Sequence, residues 1–335
     1  MKPETRFMAA GLAAAANTAN AVRPVARTGP LSPGAFAFGL VPSELPLPTG
    51  ALQLATAALL SRSGGTRGWR GKVGLAAYAA SGAGLIAMHR VAKQAGGVLE
   101  AALVDELGAD YRSRIREPFS PRPGERVSVL TRTWPDLIVD VKRALAWTKA
   151  TIAEHGGDPD FVVITGGSAG GHLASLAALT PNLADFQPGF EDVDTSVVAA
   201  VPFYGVYDFV DRHGNGQPKM DEFLARVLFK TTLAEDRERW EQASTISHIG
   251  PQAPPFFVLH GANDSLVPVE QARTFVDDLR KASTHPVVYA ELPWAQHAYE
   301  ILPSIRAYAS AHAVERFLAV VRSEHGGPTP AESVD

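Results

Sequence analysis

Three residues of the types that catalyse acyl transfer follow one another along the chain: Ser168, Asp264 and His297. A serine hydroxyl is a weak nucleophile until a base takes its proton, and a histidine does this best when a carboxylate orients its ring. The order serine, acid, histidine is one that serine hydrolases use. The sequence therefore predicts a nucleophilic serine with an acid–base pair.

Ser168 stands in a glycine-rich segment that fits the pattern G-x-S-x-G. The apolar run FVVIT before it predicts a strand, and GHLASLAAL after it predicts a helix. A nucleophile elbow is a tight turn between two such elements, and it needs small neighbours around the serine. The amide of Ala169, at the helix N-terminus, is the predicted oxyanion donor. The glycines of the predicted elbow are Gly166, Gly167, Gly170 and Gly171.

Asp264 and His297 each follow a predicted strand, PPFFVLHG and VVYAELP respectively. Catalytic groups of open parallel sheets gather at the carboxyl ends of the strands. Other interpretations stay open, since Asp264 could cap the next helix and His297 could be an uninvolved surface histidine. His260 is a rival base, but it lies inside a strand end, where we expect it to hydrogen-bond its own loop.

From Trp134 onward, continuous apolar strands alternate with amphipathic helices. This alternation predicts an α/β fold with a mostly parallel sheet that is covered on both faces. The predicted strands are FVVIT, VVAAVPFYG, PPFFVLHG and VVYAELP, and the final helix is predicted to end near Phe317. We predict three parts: a helical, Ala- and Gly-rich region over 1–110, the α/β domain over 111–325, and a disordered tail over 326–335.

The N-terminal region has two apolar stretches, Thr49 to Leu60 and Val73 to Met88, joined by a basic glycine-rich segment. Two interpretations stay open: helices that pack through small residues, or a helical hairpin in or on a membrane. Lys2 and Arg6 precede an apolar run, and ANA resembles a cleavage site, but the run is mostly alanine, which is weak for a signal peptide. We expect a membrane-associated or cytoplasmic protein rather than a secreted one.

Composition excludes several functions. The net charge of −4 argues against nucleic-acid binding, and the absence of cysteine excludes disulfides and zinc–thiolate sites. The segment from Gly82 to Ala87 fits the dinucleotide fingerprint G-x-G-x-x-A, but no strand precedes it, so helix packing is the better interpretation. We predict no cofactor and no metal.

From Trp134 to about Phe317 the sequence resembles the α/β-hydrolase carboxylesterases and lipases of the hormone-sensitive-lipase-like group. The motifs GGSAGGHLA, HGANDSLVP, PWAQHAYE and WPDLIVDVKRALAW carry the resemblance. It implies Ser168 as nucleophile, Asp264 as acid and His297 as base. It also implies that short- to medium-chain carboxylic esters, from small molecules or lipids, are hydrolysed without a cofactor.

The sequence departs from this group in two places. Many members carry an acidic residue before the serine, where this chain has Gly167. The oxyanion glycines and about four strands should also precede Trp134, yet only RVSVLT offers a strand there. His155-Gly156-Gly157 spells the glycine motif, but it ends a predicted helix; Gly96-Gly97 is the next pair to consider. An alternative function is therefore a catalytically impaired remnant that acts as a membrane-associated or binding protein.

Overall fold

The computed structural model describes residues 1–115 and 133–325, and it contains helices and strands that alternate after residue 133. The strands are β1 (Val163–Gly167), β2 (Ala199–Phe203), β3 (Phe256–Gly261) and β4 (Val287–Leu292). The helices are α1 (Pro3–Val22), α2 (Ser32–Glu44), α3 (Pro46–Arg62), α4 (Gly68–Lys93), α5 (Ala95–Leu107), α6 (Asp136–Thr151), α7 (Ala169–Leu179), α8 (Met220–Leu224), α9 (Arg237–Ala243), α10 (Val269–Ala282) and α11 (Ile305–His325).

Within the described residues the strands form one sheet in the order β1-β2-β3-β4. β1 pairs with β2 in parallel, with Thr165 opposite Val201, and β2 pairs with β3 in parallel, with Phe203 opposite Leu259. The predicted α/β fold class with a helical N-terminal region is confirmed. The predicted strand RVSVLT and the predicted tail over 326–335 lie outside the described residues.

The middle strands β2 and β3 are buried, whereas the edge strand β1 is partly exposed. Every residue of β3 is buried, as continuous apolar strands of parallel sheets require. On α10, Phe275 and Leu279 pack against Phe256 and Val258 of β3. A second cluster joins α6 to α7 through the buried residues Ile138, Leu145, Leu173 and Leu176.

The chain divides into two compact units, and each is described by itself. Unit one contains residues 1–98, 260–269 and 291–310; unit two contains 99–259, 270–290 and the described residues from 311 onward. The predicted division into parts over 1–110 and 111–325 stays a prediction.

In unit one, α1 runs along α4 in close contact. A Cβ atom at Gly11 would lie 2.7 Å from the Gly74 carbonyl oxygen, and one at Gly84 would lie 2.6 Å from Thr18. Gly84 belongs to the segment with the dinucleotide pattern, which is the interior of a helix, as expected. Gly74 and Gly84 of α4 therefore face α1, a helix pairing that the sequence did not indicate. Among the described helices, none has the length and hydropathy needed to cross a membrane.

Several element ends differ from the prediction. β1 continues through Gly166 and Gly167 because their backbones still pair with β2. α11 continues past Phe317 to His325, since Val320 and Val321 prolong its buried side. The segment MDEFLARVLF forms a short α-helix, α8, followed by a π-helical turn over Ala225–Phe229.

Candidate active site

Ser168 lies in the turn between β1 and α7, with a backbone φ of 57° and ψ of −121°. Few non-glycine residues adopt a positive φ, so the surrounding structure must hold the serine in this conformation. A Cβ atom at Gly166 would lie 2.5 Å from the Gly170 carbonyl, and one at Gly171 would lie 2.7 Å from the Phe203 carbonyl oxygen. The turn is therefore closed tightly around the serine, which is the geometry of a nucleophile elbow.

Gly167 stands where the resembled group often has an acidic residue, and the structure gives a reason for the glycine. A Cβ atom at Gly167 would lie 2.6 Å from the Tyr204 hydroxyl oxygen. Tyr204 therefore occupies the space that an acidic side chain would need. At Gly170, by contrast, a Cβ atom would meet nothing within 4 Å, so space alone does not require that glycine.

α7 begins directly after the serine, at Ala169. The backbone N–H of His172 donates to the Ser168 carbonyl oxygen over 3.0 Å, so the hydrogen-bond ladder of the helix starts at the serine. The first N–H groups of a helix have no acceptor within the helix, and the helix dipole favours negative charge beside them. Ala169 as the oxyanion donor fits this position and stays a prediction.

Asp264 and His297 meet in unit one. His297 Nδ1 lies 2.7 Å from Asp264 Oδ2, and both side chains are buried. The other carboxylate oxygen, Oδ1, accepts hydrogen bonds from the backbone N–H groups of Leu266 and Val267, each over 2.8 Å. The two oxygens therefore have separate partners, and the carboxylate is fixed in direction towards the imidazole.

The charge on Asp264 follows from its hydrogen bonds. Burial by itself raises the pKa of a carboxyl group, but the hydrogen bonds with His260 and His297 lower the pKa of Asp264 to about 2. Because an ionised carboxylate only accepts hydrogen bonds, the proton between it and His297 belongs to Nδ1. In the neutral imidazole, Nε2 is then the nitrogen that can accept a proton.

His260 is a second imidazole on the same carboxylate. Its side chain is fully buried, and its Nε2 lies 3.0 Å from the Val267 carbonyl oxygen and 3.2 Å from Asp264 Oδ2. The prediction that His260 hydrogen-bonds its own loop is confirmed, while its contact with Asp264 was not foreseen. Both neighbours of Nε2 are acceptors, so His260 supplies a proton donor to the carboxylate.

Gln296 ties the two loops that carry the acid and the base. Its Oε1 accepts from the backbone N–H of Ser265 over 2.8 Å and of His297 over 2.9 Å, and its Nε2 donates to the Ser265 hydroxyl over 2.8 Å. A Cβ atom at Gly261 would lie 2.6 Å from the Ala295 carbonyl oxygen, so the loops also touch through their backbones. The acid and the base therefore share one rigid support.

The N-terminal residues of unit one contact the same loops. Arg27 donates to Asn263 Oδ1 over 2.8 Å, and Asn263 Nδ2 donates to the Val22 carbonyl oxygen over 2.9 Å. The ring of Phe36, on α2, lies edge-on to the His297 imidazole with a centroid separation of 6.0 Å. The residue before the acid and the ring of the base are thus held from the region that precedes α3.

A buried ion pair supports the His297 loop from α2. Arg306 Nη1 lies 3.1 Å from Glu44 Oε1, and both side chains are almost fully buried. Arg306 Nη2 donates to the Pro293 carbonyl oxygen over 3.0 Å, and the Ser304 hydroxyl donates to Glu44 Oε2 over 3.0 Å. Burial raises the pKa of Glu44, and its contacts with Arg306 oppose this rise. The pair anchors the backbone that leads from β4 to the base.

The predicted site residues divide between the two units. Asp264 and His297 are together in unit one, and Ser168 lies in unit two at the end of β1. Sequence reasoning missed Gln296, although it is adjacent to the predicted base. It also missed Phe36, which carries no local signal because its contact with the base spans most of the chain.

The two other glycine pairs have helical roles. Gly156, with a φ of 73°, ends the helical turn over Ile152–His155, and the N–H of Gly157 donates to the Ile152 carbonyl oxygen over 2.9 Å. The prediction that this motif terminates a helix is confirmed. Gly96 and Gly97 lie in the first turn of α5. In the described residues, no group of three His, Asp or Glu side chains is arranged to bind a metal ion.

The known proteins that this chain is similar to are described as ester hydrolases. Residues 125–279 match the BD-FAE family. LipM of Mycobacterium tuberculosis, described as a probable carboxylic ester hydrolase, is 41% identical over an alignment of 412 positions that covers 96% of this chain and 94% of LipM. Esterase LipQ of the same organism is 48% identical over an alignment that covers 58% of this chain and 46% of LipQ.

The LipM alignment is longer than the chain. Since 96% of 335 residues is about 322, about 90 of the 412 aligned positions hold no residue of this chain.

Among solved structures, a propionate-bound esterase, Est2 of Thermogutta terrifontis, is 27% identical, with a TM-score of 0.46 over 59% of this chain and 69% of Est2.

Proposed function

The chain belongs to the BD-FAE family of α/β-hydrolases and is a carboxylic ester hydrolase, and from this premise we propose that Ser168, Asp264 and His297 form its catalytic triad. The family name comes from the match over residues 125–279, and the class of enzyme from the similarity to LipM over nearly the whole of both chains. The assignment of Asp264 and His297 rests on the contact between them, and that of Ser168 on its place in the tight turn between β1 and α7. The observation that carries it is the 2.7 Å contact between His297 Nδ1 and a buried, ionised Asp264.

In the proposed reaction, His297 Nε2 takes the proton of the Ser168 hydroxyl as the serine oxygen attacks the ester carbonyl carbon. The tetrahedral intermediate carries its negative charge on the former carbonyl oxygen, and the N–H of Ala169 donates to that oxygen. The intermediate collapses when the bond to the alkoxy oxygen breaks, and His297 gives its proton to the leaving alcohol. Water then attacks the acyl-enzyme by the same steps and releases the carboxylic acid.

Asp264 has a separate role in this scheme. It keeps the His297 proton on Nδ1 and stabilises the imidazolium that forms during each step. The two backbone N–H groups on Oδ1 and the hydrogen bond from His260 hold its charge in place before the substrate arrives. A fixed carboxylate needs no reorganisation during the reaction, which is why such preorganisation accelerates it.

We also propose that the protein hydrolyses its ester substrate slowly. Ala169 is the one oxyanion donor that we assign, and the segment in which the resembled group has its oxyanion glycines falls mostly on residues 116–132, outside the described part. Losing a single oxyanion donor typically costs about 10²–10³ in rate. The alternative of a non-catalytic remnant is not favoured by the comparisons, because the relatives are esterases.

The test is hydrolysis of a chromogenic ester series, from acetate through butyrate and octanoate to palmitate, by the purified full chain. We expect the highest kcat/KM on the short and medium chains, and loss of activity in Ser168→Ala. Ser113→Ala, which removes an exposed serine, is the matched control. A fluorophosphonate probe should label the wild type and the control but not Ser168→Ala. Equal labelling after Ser168→Ala would remove this serine from the proposal.

A further inference from the structure

α3 presents an apolar side to solvent, and its uncharged polar residues share the partly buried side with Gly50, Ala57 and Leu60. At 100° per residue, its exposed residues fall within one arc of about 160°. That arc consists of leucine, alanine and proline, with one basic residue in the last turn of the helix; its members are Leu47, Pro48, Ala51, Leu52, Leu54, Ala55, Ala58, Leu59 and Arg62. The exposed fractions of Leu52, Leu54 and Leu59 are 70%, 73% and 66%. A surface helix of a globular protein normally has the opposite arrangement.

The polar residues of α3 lie on the opposite side and are partly buried. Gln53 Oε1 accepts a hydrogen bond over 2.7 Å from Ser81, a fully buried residue of α4. Thr49, Thr56 and Ser61 share this partly buried side. This side of α3 therefore contacts α4 through a partly buried hydrogen bond, and the leucines on the other side are exposed.

Charge indicates what covers this surface. From residue 45 to residue 99 the sequence has no acidic residue, but it has six that are basic, although the whole chain has a net charge of −4. Three basic residues are exposed between the end of α3 and the first turns of α4: Arg62, Arg67 and Lys72. Between them Trp69 is 64% exposed, with the guanidinium of Arg70 stacked 5.1 Å from its ring. A second copy of this chain would bring the same positive charge, whereas an anionic surface is complementary to it.

We propose that the exposed face of α3 and the basic segment over 62–72 bind the surface of an anionic lipid membrane. The leucines enter the boundary between headgroups and acyl chains, with α3 lying in the plane of the membrane. The arginines and the lysine contact lipid phosphates, and Trp69 lies at headgroup depth, where tryptophan is enriched. The surface is an attachment site of unit one that is separate from the esterase chemistry.

Vesicle flotation of the full chain tests the proposed binding to anionic membranes. We expect binding to vesicles of phosphatidylcholine and phosphatidylglycerol in equal amounts, little binding to phosphatidylcholine alone, and weaker binding as salt is raised. Each basic residue near an anionic membrane contributes about fivefold to binding, so the variant R62Q/R67Q/K72Q should bind about a hundredfold more weakly. The variant L52Q/L54Q/L59Q should lose at least tenfold, because glutamine keeps the helix but cannot enter the acyl region.

Matched controls remove exposed residues of the same kinds from unit two. V193Q/F223Q removes apolar side chains and R273Q/K281Q removes basic ones, and both should bind like the wild type. Thermal unfolding checks that every variant is folded. The proposal is overturned if the wild type does not float with anionic vesicles, or if the basic variant floats equally well. It is also overturned if the leucine variant changes the molar mass from dimer to monomer while vesicle binding stays the same, since a second copy would then cover α3.

Discussion

Replacing Asp264 with asparagine tests the proposed acid–base pair by exchanging one carboxylate oxygen for an NH₂ group. In the wild type, Oδ1 accepts from two backbone N–H groups and Oδ2 faces His297 and His260. The asparagine oxygen must stay on the backbone side, because an NH₂ group there would face two donors. Its NH₂ group then points at His297 Nδ1, which must become an acceptor. His297 therefore carries its proton on Nε2, and the nitrogen that should accept the serine proton is blocked.

The size of the effect follows from this change of tautomer. The equivalent Asp-to-Asn change in a serine protease lowers kcat about 10⁴-fold while the geometry stays intact. That factor corresponds to about 5.4 kcal/mol of transition-state stabilisation. We expect a loss of the same order here, with little change in KM, because the Asp264 side chain is fully buried and faces His260 and His297.

The assay is kcat and KM on a chromogenic butyrate ester, with the rate of fluorophosphonate labelling of Ser168 as a readout that needs no turnover. Asp277→Asn removes an exposed carboxylate of α10 and is the matched control. Both variants are compared with the wild type by thermal unfolding. If Asp264→Asn is folded and keeps kcat/KM and labelling within tenfold of the wild type, Asp264 does not orient the base and the triad assignment is wrong.

Three further predictions concern the support of the site. Gly167→Ala places a Cβ atom 2.6 Å from the Tyr204 hydroxyl and should destabilise the fold by about 1–3 kcal/mol, measured by denaturant unfolding. Tyr204→Ala is itself destabilising because Tyr204 is buried, but in that background Gly167→Ala should add little further cost. Glu44→Gln leaves Arg306 buried without its counter-charge and should lower the free energy of unfolding by about 3–5 kcal/mol. An unchanged unfolding midpoint would contradict the anchoring role of the pair. The pKa of Asp264 is about 2 in the folded chain against an ordinary 3.8. Its ionised form therefore contributes about 2 kcal/mol to the free energy of unfolding above about pH 5, and this contribution is lost as the pH falls towards 2. Unfolding measured across this range should show a steeper acid loss in the wild type than in Asp264→Asn.

Much of the fold could be predicted from the sequence because its signals are local. The continuous apolar strands and amphipathic helices after Trp134 identify a covered parallel sheet, since a strand that is apolar on both sides must be buried on both sides. The glycines around Ser168 identify the elbow, because the tight turn excludes side chains at Gly166 and Gly171. The chain order of Ser168, Asp264 and His297 then indicates the chemistry.

Other features depend on contacts between residues that are far apart in the chain, and only the tertiary structure decides them. The contact of Phe36 with His297 and the hydrogen bond from Arg27 to Asn263 have no local pattern, because each partner alone is an ordinary residue. The apolar composition of α3 was visible in the sequence, but its orientation was not. Which side of a helix faces solvent is set by its neighbours, and here the side of α3 with Gln53 contacts Ser81 of α4 while the leucines face outward.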